Sequence, residues 1–481
     1  MLVNLILINL FSIVFLSFIP NYHVKWIRIF SLTSSFFIFI WSLLLWVNFQ
    51  NDSLNFQYYS KIEWLEDFNL YFAFGLDGLS ILFLVLSTFL FPFCILISFY
   101  SVKYRLKEFL IFLLSIELFL ILIFSILDLF LFYIFFEAIL IPMFFLIGIW
   151  GSRIERIYAA YQFFFYTLIG SLLMLVGVLF IYSHVGSTDY LIILNSSFSE
   201  TRQIFLWLSF FASFAVKIPM VPFHIWLPQA HVEAPTAGSV ILAGILLKLG
   251  GYGFLRFSLS MFPEASRFFA PLVFTMSLVA IVYASLTTIR QIDLKRIIAY
   301  SSVAHMNYTT LGLFCFNIEG LEGSFFLMLS HGLVSSALFL SIGVIYDRYG
   351  TRIIRYFSGL TQVMPLFSFV FLFLTFSNIS FPLTSGFVGE ILILMGVFKL
   401  NKFAAIIASL GTVLGAVYSV WLYNRIFFSY LKSDYIEFYS DLNRREFFIF
   451  LPLIFLIVYF GIYPNIIFDT VHITFYNLLN Y

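Results

Sequence analysis

Charged side chains are scarce in this chain of 481 residues, because Asp, Glu, Lys and Arg together make up only 10% of it. A soluble domain carries roughly 25% charged residues. This chain has too few of them to cover a surface that faces water over most of its length. The net charge is +1, and no long run of one sign points to nucleic acid. With 62% hydrophobic residues, the composition predicts a protein that crosses the membrane many times.

Cysteine is nearly absent as well. The two cysteines, Cys94 and Cys315, cannot form a disulfide framework and cannot supply the four thiolates of an iron–sulfur cluster. The sequence also lacks a glycine-rich dinucleotide fingerprint and a phosphate-binding P-loop. We therefore expect this chain to bind no cofactor and to carry out no redox chemistry of its own.

Long apolar runs are abundant. A helix needs ~20 mostly apolar residues to span the hydrocarbon core, and continuous runs without alternation favour helices over a β-barrel. The predicted fold is an all-α polytopic membrane protein, with residues 1–481 forming a single transmembrane domain. About fourteen spans of this length are predicted, near 2–19, 27–49, 78–101, 109–127, 129–149, 159–183, 203–227, 235–255, 268–289, 297–316, 321–345, 363–398, 404–424 and 446–468.

Lys and Arg are unevenly distributed over the connections between these spans. The odd-numbered connections hold 17 of them, including Lys295 and Lys432, and the even-numbered connections hold 6, including Arg256. Because cytoplasmic loops carry the excess of Lys and Arg, the odd-numbered loops are predicted on the cytoplasm-like side and both termini on the opposite side. The polar stretches 50–68, 184–202 and 430–447 are the only connections long enough to form local structure.

Two of the predicted spans carry residues that interrupt a helix: Pro219, Pro222 and Pro228 in span 7, and Pro382 and Gly386 in span 12. Broken helices at membrane depth persist only where protein or a water-filled cavity satisfies the freed backbone groups. Interrupted spans in matching positions of two halves indicate inverted repeats. We therefore predict a first five-helix repeat over 109–255 (spans 4–8) and a second over 268–424 (spans 9–13), with spans 7 and 12 each the fourth helix.

Six ionisable side chains inside the predicted spans are the candidates for a functional path: Glu137, Lys217, Lys248, His305, His331 and Glu390. A charge near the bilayer centre costs at least ~2.5–3.5 kcal/mol, so such residues usually pair with one another or line a path for ions. Glu137 and Lys217 could share charge as a pair, and histidine can both donate and accept a proton near neutral pH. The set therefore predicts a proton relay, in which Glu390 is the terminal site. The competing interpretations are lysines that reach to an interface and histidines that only bond neighbouring helices.

Four further residues are possible accessory sites: His224, His231 and Glu233 after the break in span 7, and Glu117 in span 4. The two histidines and the glutamate might suggest a metal, but zinc sites use tighter local pairs, so no metal site is expected. Glu117 could belong to the relay or to helix packing, because carboxylates also occur inside bundles.

Several segments carry a family resemblance. VKIPMVPFHIWLPQAHVEAP, FFEAILIPMFFLIGIWGSR, RQIDLKRIIAYSSVAHMN and SGFVGEILIL resemble the chain 4 family of respiratory complex I (NADH–ubiquinone oxidoreductase), one of its families of antiporter-like membrane subunits. The resemblance implies fourteen core helices with two inverted repeats broken at helices 7 and 12. It also implies that Glu137 is the partner of Lys217, that Lys248 is the central lysine, and that Glu390 is the exit-side site. His305 and His331 would connect them.

The resemblance also implies the setting of the chain. It would be a subunit of a proton-translocating NADH:ubiquinone reductase, next to antiporter-like chains 2 and 5 and to membrane lipids, with no nucleic acid. NAD, FMN, iron–sulfur clusters and ubiquinone would be bound by partner subunits. The expected location is the mitochondrial inner membrane, with a bacterial plasma membrane as the alternative.

Two other functions remain open at this stage. One is an Mrp-type antiporter that exchanges a cation for protons. Glu390 argues against this function, because the antiporters look as though they carry Lys at the matching position. The other is a structural subunit whose buried charges only hold helices together.

Overall fold

The computed structural model describes residues 1–65, 67, 69–431 and 439–480. Over these residues it contains ten helices that are long and apolar enough to cross a membrane, and two shorter apolar helices. The predicted all-α membrane fold is thereby confirmed in its main feature. Lys432, which entered the loop count, lies outside the described residues.

The helices of the first half, in chain order, are α1 (Leu2–Phe18), α2 (Val24–Val47), α3 (Gly78–Ser101), α4 (Leu106–Ser125), α5 (Leu129–Ala138), α6 (Leu140–Trp150), α7 (Arg156–Val185), α8 (Tyr190–Leu194), α9 (Glu200–Lys217), α10 (Trp226–Glu233), α11 (Thr236–Ile241), α12 (Leu247–Gly253) and α13 (Leu259–Met261). Those of the second half are α14 (Pro263–Arg290), α15 (Leu294–Leu313), α16 (Ile318–Tyr349), α17 (Leu360–Val363), α18 (Pro365–Asn378), α19 (Ser385–Leu400), α20 (Lys402–Phe427), α21 (Arg444–Ile462) and α22 (Asn465–Asn480). A 3-10 turn covers Ile354–Tyr356.

The polar connection between the second and third spans contains a β-hairpin. Strand β1 (Gln57–Leu65) pairs antiparallel with β2 (Leu70–Leu76). The hairpin is tied to the bundle because the Leu127 amide donates to the Ala73 carbonyl, 2.8 Å away. The sequence marked the stretch 50–68 as long enough for local structure, and the residues of its strand satisfy their backbone groups in a ladder.

Both predicted helix breaks are present. Helix α9 ends at Lys217 and α10 begins at Trp226, while α18 ends at Asn378 and α19 begins at Ser385. At the first break the indole of Trp226 donates to the Val216 carbonyl at 3.0 Å. Protein groups therefore satisfy backbone that an intact helix would have bonded, which is the condition for a break at membrane depth.

Two membrane-crossing segments have central stretches that are entirely buried in the rest of the protein. One is α16, and the other runs from Thr236 to Met261 and comprises α11, α12 and α13. By contrast, only about a quarter of the residues of α2 and α21 are buried. A lysine or histidine on either enclosed segment cannot reach lipid or bulk water, so its polar partners must come from the bundle.

The structure corrects the predicted course of the enclosed segment 235–255. It continues to Met261 and contains two π-helical turns, Leu242–Leu246 and Phe254–Ser258. Arg256, predicted in a loop, lies in the second π turn and is buried. Its guanidinium forms two hydrogen bonds with the Asp77 carboxylate, at 2.8 and 2.6 Å. Arg256 can lie inside the protein rather than in a solvated loop, because the carboxylate of Asp77 accepts its hydrogen bonds there.

The predicted last span, 446–468, is divided in the structure. Helix α21 ends at Ile462 and α22 begins at Asn465, on either side of Pro464. Proline has no amide hydrogen and disfavours helical geometry in the residue before it, so the chain turns here. Val471 and Phe475 of α22 are fully buried, so the second helix packs back onto the bundle.

Candidate functional site

Lys248 and His331 meet in the centre of the bundle. Lys248 is completely buried, and its Nζ lies 2.8 Å from Nδ1 of His331. The same Nζ donates to the carbonyl of Ala243, within the first π turn. A π turn shifts the helical hydrogen-bond pattern, and such turns often occur at functional sites. The local irregularity thus supplies the amine with an acceptor that a regular helix would have used itself.

His305 and Glu390 continue the line from His331. The rings of His331 and His305 have centroids 5.9 Å apart, and Nδ1 of His305 lies 3.0 Å from Oε1 of Glu390. All three side chains are buried. The Nε2 atom of His305 is buried with no hydrogen-bond partner among the described residues. Such an atom in a polar site is where an ordered water is expected, and one water would complete the link between the rings.

Glu137 and Lys217 form a second, looser unit. Lys217 is the last residue of α9, where the helix dipole favours a cation, and its Nζ lies 4.4 Å from the centroid of the Phe136 ring. Glu137 lies within electrostatic range of Lys217, but neither of its buried carboxylate oxygens forms a hydrogen bond with the ammonium in the described part of the chain. The hydroxyl of Ser171 lies close to Glu137. The two side chains are therefore neighbours without a direct hydrogen bond between them in the described residues.

The predicted accessory residues are spread over different places. His231 is completely buried on α10, with its ring stacked on Phe339 at 4.6 Å between centroids. His224 lies in the break after α9, with its ring 5.5 Å from that of Tyr283. Glu233 ends α10, and one of its oxygens accepts from the amide of Arg153 at 3.2 Å. Among the described residues, no group of three His, Cys, Asp or Glu side chains is arranged to hold a metal ion.

Glu117 is not brought together with the relay residues. It is fully buried on α4, in the neighbourhood of Cys94 on α3, and neither of its oxygens has a hydrogen-bond partner in the described residues. Its role remains an open prediction.

Lys295 is a buried residue that the sequence interpretation missed. It was assigned to a loop, but it lies in the first turn of α15 and is 1% exposed. Its Nζ donates to the carbonyl of Ala234 at 2.8 Å and to the hydroxyl of Ser239 at 3.2 Å. A signal was present: Asp293 is the N-cap of α15, and a helix that starts there places Lys295 on the same face as the buried Ile298.

Comparison with known proteins identifies the family. The profile of the family described as NADH:quinone oxidoreductase/Mrp antiporter, TM, matches residues 126–415. NADH-ubiquinone oxidoreductase chain 4 of Chondrus crispus is 59% identical over 470 residues, which cover 98% of this chain and 96% of that protein. This chain belongs to the NADH–ubiquinone oxidoreductase chain 4 family. The chain 4 of Marchantia polymorpha is 56% identical over 478 residues, which cover 99% and 97% of the two chains.

The family assignment agrees with a solved structure. Respiratory complex I from Thermus thermophilus with bound NADH contains a chain that matches with a TM-score of 0.91 and 28% identity, covering 100% of this chain and 99% of that one. This member of the chain 4 family is therefore an antiporter-like membrane subunit of respiratory complex I, and proton translocation fits that assignment. The resemblance inferred from the sequence is confirmed, as is membership in the enzyme NADH–ubiquinone oxidoreductase.

Proposed function

We propose that this complex I subunit moves protons along Lys248, His331, His305 and Glu390. The observation that carries the proposal is the contact of 2.8 Å between Lys248 and His331, in line with the contact of 3.0 Å between His305 and Glu390. Lysine and histidine can each gain and lose a proton, and burial makes their charged forms sensitive to a neighbouring charge. The four side chains form a path across the bundle rather than four isolated packing contacts.

Glu137 and Lys217 act as the switchable pair in this proposal. The Lys217 ammonium rests over an aromatic ring, and no hydrogen bond joins it to Glu137 among the described residues, so no strong contact fixes their arrangement. A change in the charge of Glu137 alters the field at Lys217, since opposite charges in a medium of low dielectric constant interact strongly. The gap from Lys217 to the central line is bridged by water in this account. The unpartnered Oδ1 of Asn307, whose Nδ2 lies 3.4 Å from the Pro219 carbonyl at the break, supports a water there.

The number of spans and their division into two repeats are part of the same proposal. We assign fourteen spans, with α4 to α13 containing the first inverted repeat (109–255) and α14 to α20 forming the second (268–424). The two helix breaks and the enclosed central segments support this division. Neighbouring antiporter-like chains 2 and 5, a mitochondrial inner membrane, and cofactors bound only by partner subunits complete the proposed setting. The bacterial plasma membrane is the alternative location.

The proposed function is tested in the whole complex, reconstituted into vesicles. Lys248→Met removes the titratable amine and retains an unbranched apolar chain. Lys402→Met is the matched control, because Lys402 is an exposed lysine on α20. We expect Lys248→Met to assemble with NADH dehydrogenase activity but to lose most proton pumping, while Lys402→Met pumps normally. Normal pumping by assembled Lys248→Met complex contradicts the proposal. Pumping that requires Na⁺ or K⁺ in the parent complex instead supports an antiporter.

A further inference from the structure

An apolar groove of about 400 Å³ lies between α2 and α3. Its lining is apolar except for Thr33, whose hydroxyl donates to the carbonyl of Phe30 at 3.0 Å. Phe36, Phe37 and Ile40 are exposed, so the groove opens on the outer surface of the bundle. Because the hydroxyl of Thr33 is satisfied within its own helix, the groove presents only apolar surface to an occupant.

The groove runs along the helices for about the depth of one leaflet. On α2 its lining begins at Leu32 and ends at Ile40, and on α3 it covers positions from Phe89 to Leu96. Eight residues of helix rise about 12 Å, and half of a hydrocarbon core of about 30 Å is about 15 Å. An acyl chain that enters from the membrane surface therefore fits along the groove.

Two arginines lie at one end of the groove. Arg28 precedes the first lining residue of α2 by one helical turn, and its guanidinium carbon lies 5.6 Å from the centroid of the Phe99 ring. The guanidinium carbon of Arg445, on α21, lies 4.1 Å from the centroid of the Tyr100 ring. The Nη1 atom of Arg445 donates to the carbonyl of Leu96, which lines the groove, at 3.4 Å. Two cations from distant parts of the chain thus meet at the mouth of one groove.

These two arginines lack a counter-ion within the described part of the chain. Arg28 and Arg445 lie within electrostatic range of each other, and like charges repel. The Nε atom of Arg28 is buried and has no hydrogen-bond partner among the described residues. Glu446 and Asp347 are within electrostatic range of Arg445, but neither forms an ion pair with it in the described residues. Glu446 pairs with Arg348 instead. An anion from outside the chain would therefore stabilise the pair of arginines.

The arginines lie where the headgroups of a membrane are expected. Trp26, at the start of α2, and Tyr100, at the end of α3, are both exposed, and such residues are enriched at membrane–water interfaces. Arg28 and Arg445 belong to odd-numbered connections, which the distribution of Lys and Arg assigns to the cytoplasm-like side. A guanidinium binds phosphate through two parallel hydrogen bonds, so the phosphate of a lipid matches both the charge and the depth of the pair.

We propose that this groove binds one anionic phospholipid of the leaflet on the cytoplasm-like side, with an acyl chain between α2 and α3 and its phosphate between Arg28 and Arg445. The lipid would join the start of α2 to the start of α21, two helices of which only about a quarter is buried in the protein. This binding site is separate from the proposed proton path, and its test measures bound lipid rather than pumping.

Photolabelling of the whole complex tests the site. The complex is reconstituted into phosphatidylcholine vesicles that contain a small fraction of phosphatidylglycerol with a diazirine on one acyl chain, and labelled peptides are mapped by mass spectrometry. We expect label on the residues that line the groove, reduced about fivefold by Arg28→Gln and about fivefold by Arg445→Gln. Arg425→Gln is the matched control, because Arg425 is an exposed arginine over the Trp421 ring on a different helix, α20. We expect the control to label as the parent complex does.

A second pair of variants tests the place of the acyl chain while both arginines are retained. Thr33→Trp fills the groove from an exposed position, so the packing of α2 against the bundle should be preserved. Leu44→Trp is its control, since Leu44 is exposed on the same helix and does not line the groove. We expect Thr33→Trp complex to lose most of the label in the groove and Leu44→Trp complex to retain it.

Three results would overturn the proposal. Equal labelling of the parent, Arg28→Gln and Arg445→Gln complexes would show that the two arginines hold no headgroup. Equal labelling by phosphatidylcholine that carries the same diazirine would show that the groove is only solvated by ordinary lipid. Absence of label from the groove, together with crosslinks between groove residues and a neighbouring subunit, would show that protein covers the groove.

Discussion

The Nζ atom of Lys248 and the Nδ1 atom of His331 lie 2.8 Å apart in the centre of the protein. Two nitrogens at this distance share one proton, because two cations in direct contact inside a medium of low dielectric constant would repel strongly. Either the lysine donates to a neutral ring or the ring donates to a neutral lysine. The pair therefore has two protonation arrangements that differ only in the position of a proton, which is the property a relay needs.

Lys248→Arg should abolish this exchange although it preserves a cation. Arginine does not lose its proton in proteins, so the pair would be held in one arrangement. We expect the rate of proton pumping to fall by about a hundredfold, the order of magnitude of a lost proton-transfer group. The measurement is the rate of vesicle acidification per assembled complex. A rate within twofold of the parent, about 0.4 kcal/mol by the relation of rate to barrier, would show that Lys248 need not deprotonate.

Glu137→Gln should weaken pumping while the complex still assembles. The substitution keeps the size of the side chain but removes the charge that acts on Lys217. Glu200→Gln, at the exposed start of the helix that carries Lys217, is the matched control. NADH-driven pumping and the amount of assembled complex are measured together. Equal pumping by the two variants would remove Glu137 from the path.

Arg256→Met should destabilise the subunit rather than block the relay. It would leave the buried carboxylate of Asp77 unpaired, at a cost of about 3–5 kcal/mol for a broken buried ion pair. We expect less assembled complex and a lower melting temperature, and partial recovery when Asp77→Asn is added. If the single variant is as stable as the parent, the pair does not hold the second π turn in place.

Glu117→Gln should leave pumping unchanged. Glu117 lies on α4 near Cys94, and no described contact joins it to the relay. Glutamine preserves the volume of the side chain and is neutral, so packing should be maintained. Pumping is compared with that of the Glu137→Gln complex. A comparable loss in both would make Glu117 part of the path.

The helical membrane fold and the candidate residues of the proposed relay could be identified because both rest on local signals. Apolar runs of span length indicate helices, and prolines at Pro219, Pro222 and Pro382 mark the breaks where α9 and α18 end. His305, His331 and Glu390 could be selected because titratable groups are rare inside spans. That these side chains align across three helices depends on packing, which the sequence pattern does not specify.

The parts that sequence reasoning missed depend on long-range contacts. Arg256 and Lys295 were assigned to loops, because a basic residue at the edge of an apolar run is usually solvated. Arg256 is buried because Asp77, far away in the sequence, accepts its hydrogen bonds, and Lys295 because Ala234 and Ser239 do so. The π turns beside Lys248 arise within a run whose composition is that of an ordinary helix.

The central claim is that protons pass through the line from Lys248 to Glu390, and the number of protons moved per NADH oxidised tests it most directly. The measurement is made on assembled complex that carries Glu390→Gln, in which His305 loses its carboxylate partner while the size of the side chain is preserved. The account predicts fewer protons per NADH than in the parent complex measured in the same vesicles. An unchanged ratio at a normal rate of NADH oxidation would contradict it.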